Sequence, residues 1–461
     1  TNAALSITNG GSSAITGIIS GTGVSLTKSG AGTLTLSGAN TYTGATNINA
    51  GTLALSGSGV LSSSSKVTAN GTLSISGLAS GASIQTLAGS GYVTLGSNTL
   101  TLTAANDTFS GAISGTGGLT LTSGTETLSG TNTYDGVTAV NGGTLVVSNN
   151  SGLGSTSGGT TVASGAVLDL YNVTVGAEAL TLAGGTLKDV TSSLAGTITL
   201  TANSTLTATN AGDTLTLSGV IQESGGSFGI TKTGAGTVVL SNNNTYTGAT
   251  NINAGTLALS GSLSTSTNVV MSGTSVWDLQ AAQTVASLTM ASGNSITNTT
   301  GASSLTVSGT STLANSITTS GTQTYTGAVT LAADTALTGT AIGFGATVNS
   351  NSTTAQSLTL TNSGTASFGG VVGGTYALSS LTISGNASLA GSVTTTSAQS
   401  YGADLTLTGS SISLNTTNAP VDVVGNLNSS ATTSAILQFL GSGSYSYSTN
   451  AGSTYQSYTA G

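Results

Sequence analysis

Asp169, Asp189 and Asp213 are spaced 20 and 24 residues apart. If the backbone completed one turn over each interval, the three carboxylates would stack on a single face. Such a row suits a hard cation such as calcium, which takes several oxygen ligands, or general acid/base work. The plainer alternative is a solvated surface row with Lys188 beside it. The other acids, Asp107, Glu126, Asp135, Glu178, Glu223, Asp278, Asp334, Asp404 and Asp422, are dispersed along the chain.

The chemistry open to these carboxylates is narrow. There is no histidine or cysteine, and the four basic residues are all lysine: Lys28, Lys66, Lys188 and Lys232. Ser-His and Cys-nucleophile designs are therefore excluded. A polysaccharide-active site, which usually adds arginine or histidine to its acids, would have carboxylates alone. Tandem Gly-Gly-Xaa-Gly-Xaa-Asp units, the mark of a calcium-stabilised roll, do not occur. No catalytic, cofactor-binding or metal-ligating residue is assigned, no cofactor is expected, and an enzyme is not.

Two further residue types recur at matched positions. Tyr42, Tyr134, Tyr246, Tyr325 and Tyr401 share one repeat position. They could form an outer row for glycan stacking, but the expectation is that each ring packs on the neighbouring turn with its hydroxyl in water. Asn40, Asn47 and Asn49 match Asn244, Asn251 and Asn253, which suggests amide ladders and turn-forming asparagines before it suggests sugar recognition. Tyr445, Tyr447, Tyr455 and Tyr458 lie in an alternating Ser/Tyr segment, either a cap on the last turn or a strand that pairs with another molecule.

The elements that must position these residues are short strands. Apolar and small polar residues alternate at Leu34/Leu36, Leu53/Leu55, Leu73/Ile75, Leu100/Leu102, Leu215/Leu217 and Leu358/Leu360, the period of a half-buried strand. Clusters of Gly, Asn and Ser punctuate them as turns. Residues 27–58 and 231–262 match at 27 of 32 positions without a gap, and a looser copy runs over 119–148. Residues 304–325 and 380–401 form a second repeat with 12 of 22 positions identical. Near-identical repeats and scarce aromatics favour a β-solenoid over a sandwich or barrel. Coils of ~22 residues stacked at ~4.8 Å would make about 21 coils and an elongated rod on the order of 100 Å long. Leu34, Leu36, Leu53, Leu55 and their counterparts Val238, Leu240, Leu257 and Leu259 are expected to point inward. The expected divisions are 1–262 with the first repeat type, 263–441 with the second, and 442–461 as a terminal strand or cap.

Composition bounds the partners. Only 3% of the 461 residues are charged, and the net charge of −8 is spread thinly, where an ordinary domain carries about 25% charged residues. With four scattered lysines, nucleic acid is not an expected partner. No apolar run approaches the ~18 residues of a membrane-spanning helix, so no membrane insertion of this chain is expected. Thr1 follows no leader pattern, which fits a mature or excised chain.

The unit GAGTLTLSGANTYTGATNINAGTLALSGS, with its second copy from Gly234, resembles the passenger-associated β-strand repeat of bacterial autotransporter proteins. The segments QTYTG (323–327) and QSYG (399–402) resemble repeats of haemagglutinin-like surface proteins. The resemblance implies an all-β, right-handed parallel β-helix, exported to the cell exterior and adhesive or aggregating. The tail GSGSYSYSTNAGSTYQSYTAG lacks the long alternating strands of a translocator barrel, so self-export by this chain is not expected. The expected role is an extracellular structural β-solenoid of a bacterial surface that self-associates or mediates adhesion. Its partners would be copies of itself, or cell-surface glycans and host receptors. An adhesin passenger is the alternative, and a polysaccharide-active β-helix enzyme a remote one.

Overall fold

The computed structural model describes residues 4–352, 354–429, 436–440, 444–448 and 455–459, and among them there is no helix. The chain divides into two units, Thr1–Ile230 with Ala235–Val238, and Thr231–Gly234 with Val239–Gly461. Each is a parallel β-solenoid.

In the first unit, the strands of one turn lie in register on those of the next. Ala4 pairs with Ser25, Leu34 with Leu53 and Leu53 with Leu73, so partners are 19 to 21 residues apart. A parallel pair requires a crossover between its strands. Here the crossover is the rest of the turn, with its own short strands. The sheet through Ser12–Ile15, Thr33–Leu36, Thr52–Gly57, Thr72–Leu78, Tyr92–Thr94 and Ala112–Ser114 is one wall.

Alternation sends every second side chain inside. Leu34, Leu36, Leu53 and Leu55 are 0–1% exposed, and Leu34 sits on Leu53 and Leu36 on Leu55. Val238, Leu240, Leu257 and Leu259 are equally buried. The inward placement expected from period two is borne out. Each such side chain contributes about 1.5–3 kcal/mol by leaving water, and because identical types stack turn on turn, the interior is a set of aliphatic columns.

The second unit follows the same rule with larger side chains. Leu257 pairs with Trp277, and Trp277 with Ile296. Tyr325, Phe344 and Phe368 stack in register on successive turns, with ring centroids 5.4 and 4.9 Å apart.

Among the described residues the paired strands of each unit run parallel, with one exception near the C-terminus. Ser444–Ser448 lies parallel to Val421–Val423, then Tyr455–Thr459 returns antiparallel to it, placing Tyr445 opposite Tyr458. These two strands pair with their own chain. Residues 442–443, 449–454 and 460–461 of that segment lie outside the described residues, as do 1–3.

Candidate functional site

Eight of the sixteen charged side chains are buried. Lys28 and Lys232 occupy the same position of the two closest repeats and are fully buried. Lys28 Nζ donates to the carbonyls of Ser29, Gly30 and Ala50 at 3.0, 2.7 and 3.1 Å. Lys232 Nζ donates to Thr233, Gly234 and Ala254 at 2.8, 2.8 and 3.0 Å. Three acceptors satisfy all three ammonium protons, and no carboxylate takes part. Gly30 and Gly234 have φ of 77° and 76°, a left-handed turn that a side chain resists. A Cβ on Gly30 would also come within 2.3 Å of the Asn9 carbonyl. Burial lowers the pKa of both lysines, that of Lys232 to about 8. In the looser copy Leu121 stands in this place: its carbonyl accepts the Asn141 N–H as those of Lys28 and Lys232 accept Asn49 and Asn253.

The repeat tyrosines correct an expectation. Tyr42, Tyr134, Tyr246, Tyr325 and Tyr401 are 0–1% exposed, so their hydroxyls are not in water and they form no outer row. Tyr42, Tyr134 and Tyr246 each pair with a hydroxyl four residues on, Thr46, Thr138 and Thr250, at 2.6, 2.6 and 2.7 Å. Tyr325 and Tyr401 instead donate to Gln323 and Gln399 at 3.0 and 3.1 Å. Burial raises the pKa of all five, that of Tyr42 to about 12. A buried phenol needs such a partner.

The amides of Asn40 and Asn244 serve backbone groups. Asn40 accepts the Ile19 N–H at 2.9 Å and donates to the Val60 carbonyl at 3.3 Å, bridging the turns before and after it. Asn132 does the same between Ile113 and Gly152. Asn244 donates to the carbonyls of Asn242 and Ser262. Asn47 stacks between Thr27 and Thr68, and Asn251 pairs with Val270, so neither meets another amide. Backbone groups left open by the turns outcompete a neighbouring side chain, because a buried unpaired N–H or C=O is costly.

The acid row is broken by register. Asp169 lies opposite Lys188, and Leu170 opposite Asp189. Lys188 Nζ meets Asp169 Oδ2 at 2.6 Å. Asp189, one residue on, points to the other face and is fully buried, with burial raising its pKa to about 6. Asp213 sits in a turn, where its Oδ2 takes the N–H of Asn210 at 2.8 Å. A spacing near one turn thus brings the three acids close without converging them, and no group of three potential ligands for a metal ion forms among the described residues.

Elsewhere acids are absorbed singly. Asp278 collects hydrogen bonds from Thr297, Thr299 and Gln280; burial works against its charge, but these bonds hold its pKa below the usual carboxylate value. Glu178 accepts from Thr160 at 2.8 Å, and burial raises its pKa. Glu126 takes the interior place that Leu34 takes in the first repeat, with neither oxygen in a hydrogen bond of normal geometry. The sequence reading passed over Glu126, the two buried lysines and the Gln323 and Gln399 partners. The signals were there: lysine at one position of two near-identical copies, glutamate in a leucine slot, and threonine four residues after each of three tyrosines.

The passenger-associated-transport-repeat family matches residues 26–55, 114–147 and 230–259. Searches of curated proteins and of solved structures find no match. The three matched segments are those that carry the Asn, Tyr and Thr interior just described, and they include the lysine clasp in two of three cases. The chain is a protein of parallel β-solenoid units that carries three passenger-associated-transport repeats, as its resemblance to autotransporter passengers led one to expect.

Proposed function

We propose that this chain is the passenger part of a bacterial protein exported to the cell surface, where it serves as a non-enzymatic structural β-solenoid that self-associates. One observation carries the reading: lysine and glutamine side chains at repeat positions are turned inward and spent on the chain's own backbone. Lys28, Lys232, Gln323 and Gln399 all serve backbone carbonyls. What remains outside is mostly Ser, Thr, Asn and Gly. With 3% charged residues, copies meet little mutual repulsion, and strand edges at the ends of a solenoid offer unpaired N–H and C=O groups.

A second reading, an adhesin passenger that holds glycans or receptors of another cell, draws on Tyr92 and Tyr171. They are 63% and 49% exposed and present the aromatic faces that the buried repeat tyrosines do not.

Light scattering over a concentration series, with electron microscopy of the same samples, tests the first reading. Growth into filaments or lattices supports it, and a monomer at every concentration overturns it. Deleting residues 442–461 asks whether that segment is the contact. Glycan-array binding lost on Tyr92→Ala or Tyr171→Ala, from a protein that stays monomeric, would favour the second.

A further inference from the structure

Lys66 Nζ lies 2.5 Å from Asp107 Oδ1. The carboxyl is fixed from its other side, because the Thr86 hydroxyl donates to Oδ2 at 3.0 Å and itself accepts the Asn106 N–H at 3.0 Å. Asp107 and Glu126 are register partners on adjacent turns, in Ala105–Phe109 and Gly124–Leu128. Alternation puts both on the inner side, with Ala105, Phe109 and Leu128. Glu126 is fully buried, and neither of its oxygens has a hydrogen bond of normal geometry. Burial, and then the charge of Asp107, push its pKa up to about 9, so it carries a proton at neutral pH. The cluster therefore holds an amine, an immobilised carboxyl and a buried acid on the adjacent turn.

We propose that Lys66 and Asp107 condense to an intramolecular isopeptide bond, assisted by Glu126. The Lys66 side chain is 39% exposed, so the ammonium sheds its proton to solvent. The free amine attacks Asp107 Cγ, forming the C–N bond. Glu126 supplies a proton to the carboxyl oxygen on which negative charge develops and regains one from the attacking nitrogen. The proton that the ammonium gave to solvent returns to that same oxygen, the C–O bond breaks, and one water leaves. One ammonium and one carboxylate become one neutral amide, so net charge is unchanged and no oxidant, metal or cofactor is consumed. Condensation is unfavourable between free partners in water. Well-oriented intramolecular partners, however, reach effective molarities on the order of 10⁵–10⁸ M, and a neighbouring acid adds general catalysis.

The second ion pair is an internal control. Lys188 and Asp169 are as close, at 2.6 Å, yet the residue stacked on Asp169 is Lys188 itself. The nearest following acid, Asp189, faces the other side of the strand. No proton donor stands over that carboxyl, and no bond forms there.

The test is mass spectrometry of the purified full-length chain. The expected mass is lower than the sequence mass by one water, not two. With no arginine and four lysines, trypsin acting on the denatured chain should then leave residues 29–188 as one piece, uncut at Lys66 and lighter by that water. Glu126→Gln should restore the full mass and cleavage at Lys66 while leaving the β-sheet circular dichroism unchanged, and Asp107→Ala should do the same to the mass. Full sequence mass with complete cleavage at Lys66 in the wild-type chain overturns the proposal whatever the variants do. Water loss that persists in Glu126→Gln overturns the role of Glu126.

Discussion

Lys28 Nζ reaches the carbonyl of Ala50 at 3.1 Å, one turn further along the coil. With Ser29 and Gly30 it completes a clasp that ties two turns through one buried charge, and Lys232 repeats it on Ala254. Removing the ammonium takes one donor from each of three carbonyls, and buried acceptors left short of a partner cost about 1–3 kcal/mol each in the worst case. Lys232→Met is therefore expected to lower stability by about 2–4 kcal/mol. Denaturant unfolding, with hydrogen exchange over residues 230–259, checks it: faster exchange confined to those turns is the expected pattern, and an unchanged midpoint refutes it.

Glu126 makes stability depend on pH in a definite direction. Its folded pKa is about 9, against about 4.3 for a free glutamate. Between these values the folded state binds the extra proton, so stability is highest in acid and falls as pH rises, with a slope of up to about 1.4 kcal/mol per unit. Glu126→Leu, which restores the residue type of Leu34, should flatten the decline of stability between pH 5 and pH 8. A variant whose stability falls with pH as steeply as that of the wild type contradicts this.

The two tyrosine partnerships predict an order of effects. Tyr325→Phe removes one hydrogen bond to Gln323 and keeps the ring stacked on Phe344, at a cost of about 1 kcal/mol. Gln323 also donates to the carbonyls of Ile317 and Thr338 and to Thr319, so Gln323→Leu strands more groups and should cost about 2–4 kcal/mol. Thermal melts of both variants give the comparison, and equal losses would mean that the carbonyls find other donors.

Thr191 holds φ at 53°, and Asn172 on the previous turn holds 52°. A β-branched residue in the left-handed region is strained by roughly 1–2 kcal/mol, which asparagine largely escapes. Thr191→Asn should therefore stabilise the first unit by about 1 kcal/mol. Chemical denaturation measures it, and a loss of stability would show that the Thr191 side chain makes up for its backbone.

Much of this arrangement was legible in the residues. Period-two leucines in near-identical copies determined which side chains turn inward, because one face of each strand must leave water and the repeat can be stacked only in register. The scarcity of charge and the absence of His, Cys and Arg determined what chemistry is out of reach. The family resemblance rested on the same residues and held at the three matched segments.

Tertiary structure alone decided which polar groups meet. The spacing of Asp169, Asp189 and Asp213 places them on successive turns, but a one-residue offset in register sends a side chain to the opposite face. That offset gave Asp169 to Lys188 and Asp189 to the interior. It likewise set Asp107 beneath Glu126 with Lys66 at its side, from residues 41 and 19 positions away from Asp107. Tyrosine and lysine went inside against their usual preference for a wet tip, because the turns left hydroxyls and carbonyls there that only such donors could satisfy. Composition and period select the coil; the pairing of one turn with the next selects its contacts, since those depend on distances that no single turn contains.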